Sequence, residues 1–237
     1  GDGRLVRAGW LIDGSGEPAR QDVLIEISRG VIAAIRRVSP GQSLPGGYCD
    51  LTGCTIIPGL IDCHVHLCLC GTADPNQRRR QLNLNYREAA PVIADNLARH
   101  LTHGVVAVRD AADYGGHALR FKEQDWIREG RPVSLRCAGK AWHARGRYGR
   151  LIGRPPGAGL SLAQAVAIGN ESSDHVKIVN SGLNSLQEFG KEPPPQFSQS
   201  DLDAAVEMAR RLNQPIMVHA NGRVPVQMAI EAGCRSI

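Results

Sequence analysis

From about residue 56 onward the chain alternates short apolar, β-branched runs with stretches of helical periodicity, and that alternation admits few folds. Strand-like runs fall at about residues 56–66, 105–109, 133–138, 175–179 and 216–220. Between the first two, Ala89, Val92, Ile93, Leu97 and Leu101 recur at helical spacing from Tyr86 to Leu101, which predicts an amphipathic helix stopped by His103-Gly104. Further helices are predicted from Phe121 to Arg128 (stopped by Gly130), Ser161 to Ile168, Asp201 to Leu212 behind a Ser200 cap, and from Pro225 to Glu231. Asn76 to Arg80 reads as a polar loop. Strands that alternate with helices imply βα units and a parallel sheet. Five such strands are counted, and a sixth would begin at Cys234-Arg235-Ser236-Ile237.

The first fifty-odd residues follow another pattern. Leu5 to Ile12 runs into the turn cluster Asp13-Gly14-Ser15-Gly16, Val23 to Ile27 alternates, Ser28-Arg29-Gly30 turns the chain, and Val31 to Ile35 returns. This is a small β module. The expected division is therefore residues 1–57 and 58–237.

The stretch with most chemistry in it is Ile57-Pro58-Gly59-Leu60-Ile61-Asp62-Cys63-His64-Val65-His66-Leu67. A Pro-Gly break separates an apolar run from a second strand read as buried, and that strand carries His-x-His. Alternate residues of a strand share a face, so His64 and His66 point one way and could grip one metal ion. Imidazole suits zinc, iron, nickel or copper. Cys63 falls on the opposite face. Although Cys63, Cys68 and Cys70 crowd the histidines, structural zinc needs paired cysteine units separated by a loop, and only one patch exists. The seven cysteines read as reduced, mostly buried thiols of a cytoplasmic protein.

In that setting the stretch resembles the first-strand signature of the amidohydrolase superfamily, metal-dependent hydrolases built on a TIM barrel. The resemblance implies an α/β fold of the (β/α)8 type, incomplete at the C-terminus, with the N-terminal module part of a small β-sandwich. It also implies two divalent metal ions, zinc foremost. His64 and His66 would bind the first, His219 on strand five the second, and a carboxylated Lys177 on strand four would bridge them. A carbamate forms from a neutral amine, and burial near cations lowers a lysine's pKa. The product is an anionic oxygen ligand that holds two metals close enough to activate a water. On residue type alone, Lys177 could equally be a strand lysine reaching solvent, and His219 a hydrogen-bonded core histidine. His143, after strand three, stands where the imidazolonepropionase-like and prolidase-like branches polarise a substrate carbonyl, though an exposed loop histidine fits as well. Asn221 replaces a second histidine of that branch at a substrate-binding position. His175 shares the parity of Lys177 and could support it from behind. The family's strand-six histidine and its strand-eight aspartate, the general base, are expected beyond Ile237.

Composition closes off other classes. The net charge is +5, but the basic residues are scattered apart from Arg78-Arg79-Arg80 and the set Arg145, Arg147, Arg150 and Arg154. Aromatics make up 4%, too few for a base-stacking platform, so no nucleic-acid partner is expected. No apolar run approaches the roughly 20 residues of a membrane span, and no signal peptide is recognised. Three readings remain. The chain belongs to a binuclear hydrolase of amide, dipeptide or cyclic-amide C–N bonds, forms a catalytically incomplete fragment needing a C-terminal partner, or binds metal without turnover. A barrel with open strand edges would also favour a homo-oligomer.

Overall fold

The computed structural model describes residues 3–126, 132–169, 172–185 and 187–237. It is a mixed α/β chain of two compact units, one ending at Gly59 and the other running from Leu60 to Ile237.

The first unit is one four-stranded sheet. Strands β1 (Arg4–Leu11), β2 (Arg20–Ser28), β3 (Val31–Arg37) and β4 (Cys49–Ile56) lie in the order β3-β2-β1-β4. The first three pair antiparallel and β4 lies parallel to β1. Arg29 and Gly30 both have positive φ, 53° and 77°, as a tight two-residue hairpin turn requires. Ala8, Leu11, Val23 and Ile25 form its small core. Gly9 sits at a register shift where a Cβ would come within 2.1 Å of the Thr52 carbonyl oxygen, so no larger residue fits.

The second unit holds two parallel sheets. Strands β5 (Leu60–Val65), β6 (Val105–Asp110) and β7 (Ser134–Cys137) make one. The other is ordered β11-β10-β8-β9, from β8 (Ala141–His143), β9 (Gly153–Arg154), β10 (Val176–Val179) and β11 (Ile216–His219). The third strand expected from the sequence, 133–138, is found as β7. It pairs with β6, the chain bends through Gly139 at φ 73°, and the separate strand β8, not expected from the sequence, pairs with β10. The five strands counted are β5, β6, β7, β10 and β11, and β8 and β9, three and two residues long, are too short for periodicity to reveal. Ser236 forms a parallel bridge to Met217 alongside β11, where a further strand was expected.

Helices α1 (Pro75–Gln81), α2 (Tyr86–Thr102), α3 (His117–Phe121), α4 (Leu162–Gly169), α5 (Gln199–Arg211) and α6 (Arg223–Glu231) complete the unit. Helix α2 follows its apolar stripe, buries Ala89, Ile93 and Leu97, and starts at a capping box between Asn85 and Glu88. Residues 76–80 are helical rather than a loop. Asp74 caps α1 by accepting from the Asn76 amide, Pro75 opens it, and Arg78, Arg79 and Arg80 suit its C-terminal dipole. The cap of α5 is Ser198, not Ser200, because Asp201 answers it in a reciprocal capping box. The helix expected from Phe121 begins earlier, at His117, and continues as a π-helical turn over Lys122–Trp126; Arg128 and Gly130 lie outside the described residues.

Strand β5 was expected to be buried, yet it forms the edge of its sheet and leaves Leu60 47% and Ile61 65% exposed. Of the seven free cysteines only Cys68 and Cys137 are buried, so the thiols are not mostly buried; Cys49, Cys54 and Cys63 sit on sheet surfaces that nothing described covers. No helix among the described residues is long and apolar enough to cross a membrane.

Candidate metal centre

Lys177 is the centre of the site. It lies in β10, whose four residues are all buried, and its side chain is 1% exposed. The sheet order puts β11 on one side of it and β8 on the other. No carboxylate among the described residues forms an ion pair with it. Its Nζ instead points at the Nε2 of His64, 3.5 Å away and 113 residues earlier in the chain. A buried ammonium without a counter-ion is costly. Burial first, then the charge of Arg109, lowers the Lys177 pKa to about 8, against an opposing pull from Asp110.

His64 is exposed and His66 half-buried, and their ring centroids stand 5.6 Å apart. The two come together although β5 is not a regular strand there. The register against β6 shifts between Asp62 and Val65, and the Asp62 carboxylate accepts the His64 amide at 3.0 Å. Beyond the strand end, His66 Nδ1 lies 2.7 Å from the carbonyl oxygen of Ala112. A carbonyl oxygen only accepts, so Nδ1 carries the proton and Nε2 keeps its lone pair. On β11, His219 Nε2 lies 3.3 Å from both the Gly182 carbonyl oxygen and the Asn221 amide nitrogen. Burial, and then the Lys177 charge, lowers His64 to about 4. Burial also lowers His66 and His219, with the bonds to Ala112 and Gly182 opposing. All three imidazoles are therefore neutral at pH 7 and able to act as ligands.

Among the described residues no group of three or more His, Cys, Asp and Glu is close enough to hold a metal by itself. His64, His66 and His219 are thus not gathered into one ligand group in this structure. The donor chemistry fits divalent ions of the zinc type. The residue types are imidazoles and an amine that burial drives towards neutrality, with His64 in contact with that amine.

The flanking residues are placed as follows. His143 ends β8 and is 4% exposed, so it is a buried strand residue rather than an exposed loop histidine. Its Nδ1 donates to the Ala144 carbonyl at 2.9 Å, and its buried Nε2 has no partner. The neutral ring thus offers a lone pair, and only the imidazolium could donate to a substrate carbonyl. Asn221 donates through Nδ2 to Gly182 at 3.0 Å, beside His219, so it braces that loop. His175 is 1% exposed and neither ring nitrogen has a partner; burial, then Arg109, lowers it to about 4. Tyr148 stacks at a tilt on His219, ring centroids 5.6 Å apart.

Two contributors escaped the sequence reading. Arg109 donates to the Cys63 carbonyl and to Ser236 Oγ, both at 2.9 Å. Asp110 is completely buried at the end of β6, where burial and then Asp113 raise it to about 7. An acid closing an apolar run was the one available signal for it.

Comparison with known proteins places the chain in a family. Residues 55–236 match the profile of the Amidohydrolase family. The chain is 29% identical over 263 aligned residues to ochratoxinase from Aspergillus niger, an alignment that covers 98% of this chain and 53% of that protein. It superposes on a crystal structure of a Xaa-Pro dipeptidase with bound methionine in the active site at TM-score 0.74 and 22% identity, covering 98% of this chain and 60% of that one. A prolidase complexed with N-methylphosphonate-L-proline gives TM-score 0.73 at 22% identity, with coverage of 98% and 60%. The chain spans about half the length of the curated relatives it matches.

Proposed function

Because the chain belongs to the amidohydrolase family, we propose that this protein is a metal-dependent hydrolase of a C–N bond in an amide, dipeptide or cyclic amide. In this reading the parallel sheets are part of a (β/α)8 barrel and the N-terminal sheet is part of a β-sandwich. The relatives' names, a Xaa-Pro dipeptidase and a prolidase among them, support a small acyl- or dipeptide-type substrate. The observation that carries the reading is Lys177, buried to 1% exposure beside His64, with no carboxylate paired to it among the described residues.

His64 and His66 would hold one divalent ion, and His219 would contribute to a second. Lys177 would join them once its neutral amine had added to carbon dioxide and released a proton, which leaves an anionic carbamate oxygen as a possible ligand. Zinc ions held there would supply Lewis acidity and an activated water. The chain's own residues do the rest. His143 orients the substrate through its free Nε2, accepting a hydrogen bond when neutral. Asn221 and Tyr148 keep the His219 ring in place. The family's further histidine and its general-base aspartate belong, in this reading, to the part of the relatives that the chain does not span.

The test uses the full-length protein, purified with and without added zinc and bicarbonate. Metal content is measured together with amine release from Xaa-Pro dipeptides, N-acyl amino acids and lactams. About two zinc ions, a carbamate signal from ¹³C-bicarbonate that disappears in Lys177→Met, and turnover of one substrate class are expected. Bound zinc without turnover of any class would instead make the protein a metal-binding module. Absence of bound zinc would overturn the reading altogether.

A further inference from the structure

Ala112 has φ 86°, a backbone conformation that a residue with a Cβ keeps only when its surroundings hold it there. It is fully buried. Its carbonyl is the group that receives the His66 Nδ1 proton at 2.7 Å. Its own amide donates to Asp110 Oδ1 at 3.0 Å. The other oxygen, Asp110 Oδ2, accepts the amide of Leu67 at 2.8 Å, the residue directly after His66. One buried carboxylate thus ties down the backbone on both sides of one imidazole: the chain that carries the ring and the turn that receives its proton. Asp110 forms no ion pair among the described residues, so its buried oxygens are committed to these two backbone amides.

We propose that Asp110 is the positioning residue of His66, holding Ala112 in its left-handed conformation so that the Ala112 carbonyl fixes the ring as the Nδ1–H tautomer and aims Nε2 into the site. Its consequence for metal rests on the hydrolase reading; the tautomer itself does not. Strain at a buried alanine then has a reason. A relaxed Ala112 would turn its carbonyl away and leave the ring free to exchange tautomers, and the Nε2–H form would present a proton where a lone pair is needed. Partners that orient a ligating histidine from behind are commonly worth 10–100-fold in metal affinity.

Asp110→Asn in the full-length protein is the decisive variant. Asparagine keeps the volume and one acceptor, but its NH₂ faces one of the two backbone amides, so one bond is lost. Long-range ¹H–¹⁵N spectra of histidine-labelled, metal-stripped protein read the tautomer, with His66 assigned by its absence in His66→Gln. The wild type should show His66 as Nδ1–H. The variant should show a mixture and bind zinc roughly 10–100-fold more weakly in a chelator competition, with its circular dichroism unchanged. His66 found as Nε2–H in the wild type overturns the proposal without any variant, so a variant that fails to fold leaves it decidable. An Asp110→Asn protein with the wild-type tautomer and zinc affinity overturns it too. If the tautomer behaves as expected while the wild type binds no zinc, the positioning role stands and the hydrolase reading falls.

Discussion

Replacing Lys177 with methionine should stabilise the metal-free protein and at the same time abolish its metal site. Methionine matches the lysine stem in length and leaves no charge among the buried residues of β10. The magnitude follows from the titration. Lys177 falls from 10.5 to about 8 on burial, and at about 1.4 kcal/mol per pH unit its charge destabilises the metal-free fold by ~3 kcal/mol at neutral pH. The sign follows from proton counts. Between about pH 8 and 10.5 the unfolded chain holds the proton that the folded chain has released, so wild-type stability rises with pH across that window. The advantage of Lys177→Met should therefore be largest at or below pH 7 and shrink to roughly half by pH 9.5. Urea unfolding of the metal-stripped full-length proteins at the two pH values measures it. A variant less stable than wild type at pH 7, or a gap that does not change with pH, would show that Lys177 is held charged by compensation the structure does not contain. The argument for a carbamate would then lose its physical basis. The expected result is the usual exchange of stability for function, since the same buried amine that weakens the metal-free fold is the group that can become a ligand.

Two further outcomes follow from particular contacts. His175→Leu should flatten the acid side of the stability profile. His175 stays neutral down to about pH 4 when folded but takes a proton at its ordinary 6.5 when unfolded, so wild type loses up to ~3 kcal/mol relative to the variant as pH falls from 6.5 to 4. Comparing the two proteins removes the opposite trend of Asp110, which is raised to about 7 and whose contribution is lost as pH rises. A pH-independent difference would refute the buried, unpaired imidazole. Gly9→Ala should cost the N-terminal sheet about 1–3 kcal/mol or more, because its Cβ meets the Thr52 carbonyl at 2.1 Å. Thermal unfolding of the full-length variant tests this, and an unchanged first transition would contradict the register of β1 against β4.

The sequence by itself determined whatever depends on near neighbours. The stripe Ala89, Ile93 and Leu97 made α2 legible, the apolar runs marked most of the parallel strands, and His-x-His behind Pro-Gly named two site residues. Local rules also explain two of the errors. Asp74 and Pro75 open a helix that the polarity of Asn76 to Arg80 disguised, and Ser198 outcompetes Ser200 as a cap because only it has Asp201 three residues on. Other features had no local signal. The short strands β8 and β9 are defined by the partners they pair with, and the exposure of Leu60 and Ile61 reflects β5 having only one neighbour. Tertiary structure alone decided the site's electrostatics. Lys177 loses its affinity for a proton because packing from several elements removes water and brings His64 to it across 113 residues. His66 acquires a fixed tautomer because a carbonyl 46 residues away, on a strained turn held by Asp110, accepts from one nitrogen. Periodicity records which face a side chain takes; a pKa or a tautomer is set by what the folded chain places opposite it.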